Sequence, residues 1–449
     1  MAQDAIAKPM SSNSPVGLIK VLKQPEIGGL LGAIVVLYLL FAVAMANIVP
    51  TGLTGLQNAP DEAAHVNYVR VLAAGHLPTL QDEKSDPLKQ SYEWHQPPLY
   101  YALCVPMAQY GARGMRLISI GLGVLAILLT FLLAYHAFPQ RPMVAVLAAA
   151  IDGLLPTHIA ISSTVNNDIL LEVCFTWTIL LVVLMWQYGV TTKRSMALGA
   201  ACGAALLTKA TALLLVPTLA LAVIFALQLG IPKQALLKAT ITAAIVGGTV
   251  CGWWYLHNMM QYHELLPLKE FSQSFSGTAM ATQVISGQLH LPMPAPGWPG
   301  YYMLVTSMTF KSFWAVYGSR ILAKFGVPAF LPSQVYIIAL IITICSAVGF
   351  VLLHFQRNKL FDKTQLRIVW IFVLLIGLVA ASFLAFVSHY FQTQGRYLYP
   401  ALGPLSILMA QGWLQLFGAL RQKSAAAALI VSLLLMAILF LTAVQAASA

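Results

Sequence analysis

The chain has 449 residues, of which 59% are hydrophobic and 9% charged, and its mean hydropathy is +0.79. A soluble domain carries about 25% charged residues, so the composition excludes one and indicates a polytopic membrane protein. The net charge of +11 is spread in short basic clusters between apolar runs, a topology signal that speaks against nucleic-acid binding.

Residues 1–28 form an N-terminal segment with Lys8, Lys20 and Lys23, expected in the cytoplasm. Apolar runs of about 20 residues, the length that crosses the hydrocarbon core, fall at 29–48, 116–137, 143–160, 169–187, 196–208, 211–229, 239–257, 334–354, 368–387, 398–418 and 425–445. The expectation is therefore an all-α polytopic fold of about 11 transmembrane helices, in one domain over 29–445. The fifth run is short and meets the sixth at Lys209, as in a tight hairpin. Ala44-Met45-Ala46 resembles a signal-peptidase site, but the first run has full membrane length, so an uncleaved signal anchor is expected.

Alternate loops are basic: Arg141, Lys193 with Arg194, Lys233 with Lys238, Arg357 to Arg367, and Arg421 with Lys423. The positive-inside rule puts them in the cytoplasm. The opposite loops hold Asp61, Glu62, Asp82, Glu83, Asp86, Glu93, Asp168, Glu264 and Glu270, so the acidic side faces out. Two outer loops, 49–115 and 258–333, are too long for simple connections. The first carries a surface helix from Glu62 to Ala74, with Asp61 as N-cap, Gly75 as stop, and Val66, Val69 and Ala73 as an apolar stripe suited to the interface. The second places Pro292, Pro294, Pro296 and Pro299 around Trp298, before Tyr301, Tyr302 and Trp314. No internal repeat is evident, and the five cysteines lack any zinc-like spacing.

Ionisable groups outside the membrane carry the chemistry. Asp61 at a helix start favours its charged form and could serve as a general base or merely as a cap; His65 follows one turn later. His95-Gln96-Pro97-Pro98-Leu99-Tyr100-Tyr101 reads as a rigid return into the membrane, where the tyrosines either stack on sugar or sit in the aromatic belt. Asn166-Asn167-Asp168 precedes the fourth run, with Asp168 again a cap or a functional acid. Asp152 and Glu172 lie within apolar runs, where a carboxylate is costly unless it faces a polar cavity or is protonated. Lys209 and Arg396, the latter in Gln394-Gly395-Arg396-Tyr397-Leu398-Tyr399-Pro400, are cations at the outer boundary able to hold a phosphate. Arg320, Lys311 and His389 are lesser candidates of the same kind. Carboxylates that take a proton beside cations that hold a departing phosphate suit sugar transfer from a lipid phosphate.

Taken together, Pro60-Asp61-Glu62, the His95 return segment, Asn167-Asp168, Leu207-Thr208-Lys209 and the Gln394-to-Pro400 motif resemble the GT-C superfamily of polytopic glycosyltransferases, over about residues 30–405. The DUF2142 type is nearest, with the lipid A aminoarabinose transferases and protein O-mannosyltransferases more distant. The resemblance implies a polyprenyl-phosphate sugar donor, a lipid, glycan or protein acceptor, and a bacterial inner-membrane site facing the periplasm. It also implies Asp61, Glu62 and Asp168 as catalytic acids, and Lys209 as a donor-phosphate contact; His65, His95, Tyr100, Arg396 and Tyr397 complete the substrate-binding candidates. Relative to the aminoarabinose transferases, Ala64 replaces a basic residue, His65 a tyrosine and Gln96 a lysine, so donor recognition must differ, with Arg396 or His95 as substitutes. The resemblance divides over a divalent metal, for which Asp61, Glu62, His65 and Asp168 are the available ligands. A lipid-linked-sugar flippase using Asp152, Glu172 and Lys209, and a glycan polymerase or ligase, are the rival readings.

Overall fold

The computed structural model describes residues 15–49, 61–86, 91–274, 278–289, 297–317, 329–417 and 422–448. Lys8, Pro60, Pro292, Pro294, Pro296, Arg320 and Arg421 lie outside the described residues. Apart from a two-residue antiparallel pair, Val316–Tyr317 with Ala329–Phe330, the described elements are helical, as an all-α reading requires. The principal helices are α1 (Leu30–Ile48), α2 (Glu62–Ala73), α3 (Gly111–Ala137), α4 (Pro142–Leu154), α5 (Pro156–Ser162), α6 (Asp168–Tyr188) and α7 (Thr192–Leu206). They continue as α8 (Leu215–Gln228), α9 (Lys233–Tyr262), α10 (Gly297–Trp314), α11 (Ser333–Leu360), α12 (Lys363–Val387), α13 (Leu402–Phe417) and α14 (Gln422–Ser448).

Among the described residues, 8 helices are long and apolar enough to cross a membrane, or 9 if α4 and α5, bent by 62° at Leu155–Pro156, act as one broken span. The expected eleven is not confirmed, because two of the helices are short. All eleven runs are helical, but α7 has 15 residues and α13 has 16, which at 1.5 Å rise gives about 22–24 Å against a hydrocarbon core of about 30 Å. Both are helices of the bundle, and α13 is directly preceded by a 3-10 turn over Gly395–Ala401. Large apolar side chains on the long helices face outward, Phe355 at 80%, Ile245 at 64% and Leu40 at 63% exposure, a surface that only lipid would cover. Inside, α11 and α13 meet backbone to backbone: a Cβ on Gly349 would come within 1.7 Å of the Gly412 carbonyl oxygen. Such small-residue contacts are how membrane helices pack without a hydrophobic drive between them.

Helix α2 packs its apolar stripe against the bundle. Val66 and Val69 are buried in the main core, Ala73 is exposed, and α2 is held against the bundle by a buried ion pair at its first residue. Arg116 of α3 donates to both Glu62 oxygens, Nε to Oε1 at 2.7 Å and Nη2 to Oε2 at 2.6 Å. The same guanidinium donates through Nη1 to the carbonyls of Ala46 and Val49, at 2.6 and 2.8 Å, satisfying the open C-terminal end of α1. Glu62 Oε1 also accepts the Val165 N–H at 2.9 Å, so one buried pair ties α1, α2, α3 and the approach to α6 together. Removing one partner of such a pair strands the other charge, at a cost of about 3–5 kcal/mol. Glu62→Gln is therefore expected to lower the thermal unfolding temperature of the purified protein markedly; an unchanged temperature would contradict the clamp.

Candidate active site

The site begins at a strained residue. Asp61 has φ +64°, one of two non-glycine residues with positive φ among those described. Its carbonyl oxygen accepts the His65 N–H at 3.0 Å and so starts α2, but its carboxylate makes no cap bond. The cap alternative is thereby replaced: the left-handed turn, which costs an L-residue about 1–2 kcal/mol, swings the side chain away from the helix. Asp61 Oδ1 accepts from the Tyr92 hydroxyl at 2.9 Å, and Oδ2 accepts from Arg396 Nη2.

Asp168 is freed by a different device. The Asn166 side-chain oxygen accepts the Asp168 N–H at 2.8 Å, doing at the start of α6 what Asp168 was expected to do as a cap. The Asp168 carboxylate instead accepts from Lys209 Nζ at 2.6 Å and from Arg396 Nη1 at 3.2 Å. Lys209, alone in sequence, is thus paired in space, and Arg396 bridges both aspartates while its Nε donates to Gln394 at 2.6 Å. Two cations face two carboxylates, with Arg396 and Asp168 both 4% exposed. Gly395 serves close approach here: it has no positive φ, but a Cβ would lie 2.3 Å from the Phe313 nitrogen, so glycine lets the segment dock on the end of α10. Ser312 completes the dock by accepting the Gly395 N–H at 2.8 Å.

These groups line a cavity of about 320 Å³ with His65, Glu93, His95 and Tyr397. Its other walls are mostly apolar, with Leu266, Leu268 and Phe271 from the second long loop and Phe383 and Phe386 of α12, beside polar Thr211, Asn258 and Ser382. The Tyr397 ring lies 5.8 Å from Lys209 Nζ and 5.3 Å from Arg396 Cζ, close enough for cation–π attraction. Asn167 joins the return segment to the end of α7, donating to Gln96 Oε1 at 3.3 Å and the Thr208 carbonyl at 3.4 Å.

Protonation follows from these neighbours. Burial pushes the Asp61 carboxyl up, but Arg396 and then His65 outweigh it and hold it below its ordinary value. Burial also works against the Arg396 charge, and the two aspartates overcome it and raise its pKa further. Burial pushes His65 down despite the pull of Glu93 and Asp61, and takes His95 down to about 4. Burial thus disfavours the charged form of both imidazoles. His95 Nδ1 donates to the Tyr92 carbonyl at 3.0 Å, and His65 Nδ1 pairs with the Tyr101 hydroxyl at 2.9 Å. Burial raises Glu93 more than the nearby His65 lowers it.

Two expected site residues lie elsewhere. Glu62 does not line the cavity and is engaged with Arg116. Tyr100 turns its hydroxyl into the bundle, 2.6 Å from Ser119 Oγ and accepting the Asn166 N–H at 2.9 Å. In the opposite direction, Glu93 lines the cavity with one oxygen buried and unpartnered, although in sequence it was only one of several loop acids. Its place two residues ahead of His95 in the return segment was the available signal. Asp61, His65 and Glu93 each offer a ligand atom within 4.8 Å of the others, so Glu93 rather than Glu62 or Asp168 completes the set that could hold a divalent ion here.

The family model described as dolichyl-phosphate-mannose-protein mannosyltransferase matches residues 96–254, the stretch that holds Asp168 and Lys209. The structure of ArnT from Cupriavidus metallidurans bound to undecaprenyl phosphate superposes with a TM-score of 0.51, at 13% identity, covering 97% of this chain and 77% of ArnT. The fold is shared with ArnT. The apo oligosaccharyltransferase of Archaeoglobus fulgidus agrees, with a TM-score of 0.50 at 15% identity over 93% of this chain, and its complex with an inhibitory peptide and a dolichol-phosphate gives 0.51 at 14% identity. The chain spans 56% of that oligosaccharyltransferase. No curated protein matches the chain in sequence.

Proposed function

We propose that this cavity transfers a glycosyl group from a polyprenyl-phosphate donor to an acceptor hydroxyl. The observation that carries the reading is Arg396 held between Asp61 and Asp168, with Lys209 on the far side of Asp168, in a cavity whose other walls are mostly apolar. A lipid phosphate has the matching chemistry: an anionic head for the two cations and an apolar tail for the walls. The binding of undecaprenyl phosphate by ArnT and of dolichol-phosphate by the archaeal enzyme supports the same class of donor.

In this mechanism Asp61, kept ionised by Arg396, accepts the acceptor hydroxyl's proton as that oxygen attacks the anomeric carbon. The bond from the anomeric carbon to the phosphate oxygen breaks as the new glycosidic bond forms. The bonding pair leaves with the polyprenyl phosphate, whose growing charge is met by Lys209 and by the guanidinium N–H groups of Arg396 not spent on protein oxygens. A single displacement inverts the anomeric centre. Asp168 is the positioning residue that holds both cations, and His65, His95, Glu93 and Tyr397 line the space left for the sugar. The acidic, site-bearing end of the bundle faces the periplasm of a bacterial inner membrane in this reading, because the basic loops lie at the other end.

Purified protein incubated with a panel of polyprenyl-phosphate sugars and an acceptor extract is expected to release free polyprenyl phosphate, followed by mass spectrometry. Asp61→Asn should slow release by about 10²–10⁴-fold; release undiminished in that variant, with the protein folded, would remove Asp61 as the base. Lys209→Ala should weaken donor binding by about ten- to hundredfold, the worth of one charge-assisted hydrogen bond. Unchanged donor affinity in a binding titration would contradict the phosphate role of Lys209.

A further inference from the structure

A second cluster of ionisable side chains is closed inside the bundle, apart from the cavity. Asp152 lies near the end of α4, His158 in α5 beyond the Leu155–Pro156 break, and Glu172 one turn into α6. All three side chains are at most 1% exposed. His158 Nε2 is 3.1 Å from Glu172 Oε2 and 3.6 Å from Asp152 Oδ1, and one ligand atom of each residue lies within 4.8 Å of the others. Among the described residues, neither His158 nitrogen, neither Glu172 oxygen, nor Asp152 Oδ1 has a hydrogen-bond partner. The rings of Tyr38 and Tyr399 flank His158 at 6.2 and 5.9 Å, and no Lys or Arg among the described residues is paired with the cluster. Two carboxylates and an imidazole aimed at one another in a buried interior are costly by several kcal/mol unless a carboxyl is protonated or something positive lies among them, and a bound cation would also engage the unpartnered atoms.

We propose that Asp152, His158 and Glu172 bind a divalent transition-metal ion, zinc by its chemistry, as a structural clamp within the membrane bundle. Ligands at 2.0–2.2 Å from a tetrahedral zinc are about 3.3–3.6 Å apart, and the observed 3.1 and 3.6 Å separations sit close to that edge. Two carboxylates and a neutral imidazole balance a double positive charge, which a site shut off from water requires. Magnesium and calcium fit poorly, since they favour six or more oxygen ligands and commonly retain water. Thr130 donates to Asp152 Oδ2 at 2.5 Å and orients that carboxylate from outside the ligand set. Thr176, one turn beyond Glu172, adds a buried and unpartnered hydroxyl on the same helix face. The clamp fastens the α4–α5 break to α6 one turn below Asp168, so it acts as a positioning device beneath the outer site.

The test is metal content of the full-length protein, loaded with zinc during expression, purified in detergent and washed with a weak chelator. About one equivalent of zinc per chain should be retained by the wild type and by Asp61→Asn, and Glu172→Gln and His158→Gln should fall below about a tenth of that. Should those variants fail to fold, X-ray absorption at the zinc edge of the wild type decides: a first shell of nitrogen and oxygen at about 2.0–2.1 Å, with no sulfur, is expected. Wild-type protein holding less than about a tenth of an equivalent, a sulfur-containing shell, or zinc lost in Asp61→Asn but kept in Glu172→Gln would each overturn the proposal.

Discussion

Arg396 is the constraint on which the site depends. It reaches Asp61 across 335 positions of sequence and Asp168 across 228, so a residue late in the chain joins the first outer loop to the start of α6. A buried guanidinium is stable only where its charge is met and its donors are used, and here both aspartates and Gln394 meet that demand. The consequence for chemistry is preorganisation. The base is held ionised, a cation stands beside it, and neither has to be desolvated anew when a donor arrives.

The remainder of the architecture serves that arrangement by removing alternatives. Asp61 would cap α2 if its backbone were extended, but the left-handed turn denies it the helix end. Asp168 would cap α6 if Asn166 did not already do so. The Glu62–Arg116 pair then fixes where α2 starts, and with it where Asp61 points. Strain and buried charge are both destabilising locally, and the apolar bundle around them supplies the compensation.

Much of this was legible in the sequence. Asp61, Asp168, Lys209 and Arg396 each sit at the edge of an apolar run, where hydropathy contrast marks them. Their pairing was not legible: Lys209 and Asp168 are 41 residues apart, and nothing local joins them. Glu62 looked equivalent to Asp61 because adjacent residues share a motif; the structure separates them by pointing one to the cavity and one to α3. Tyr100 and Tyr101 also point different ways, one to Ser119 and the other to His65, and neither lines the cavity. Asp152 had no visible partner because His158 lies beyond a proline break, where helical spacing no longer predicts which faces meet. The span count is unconfirmed where composition does not report helix length, at α7 and α13.

The claim most exposed to test is that the two cations of the cavity hold the phosphate of a lipid carrier. A cryo-electron microscopy structure of the protein with undecaprenyl phosphate bound addresses it directly. The account predicts phosphate oxygens at hydrogen-bond distance, about 3 Å, from Lys209 Nζ and the Arg396 guanidinium, with the lipid tail against Phe383 and Phe386. A phosphate seated elsewhere, with Lys209 and Arg396 still engaged only by Asp61, Asp168 and Gln394, would contradict it.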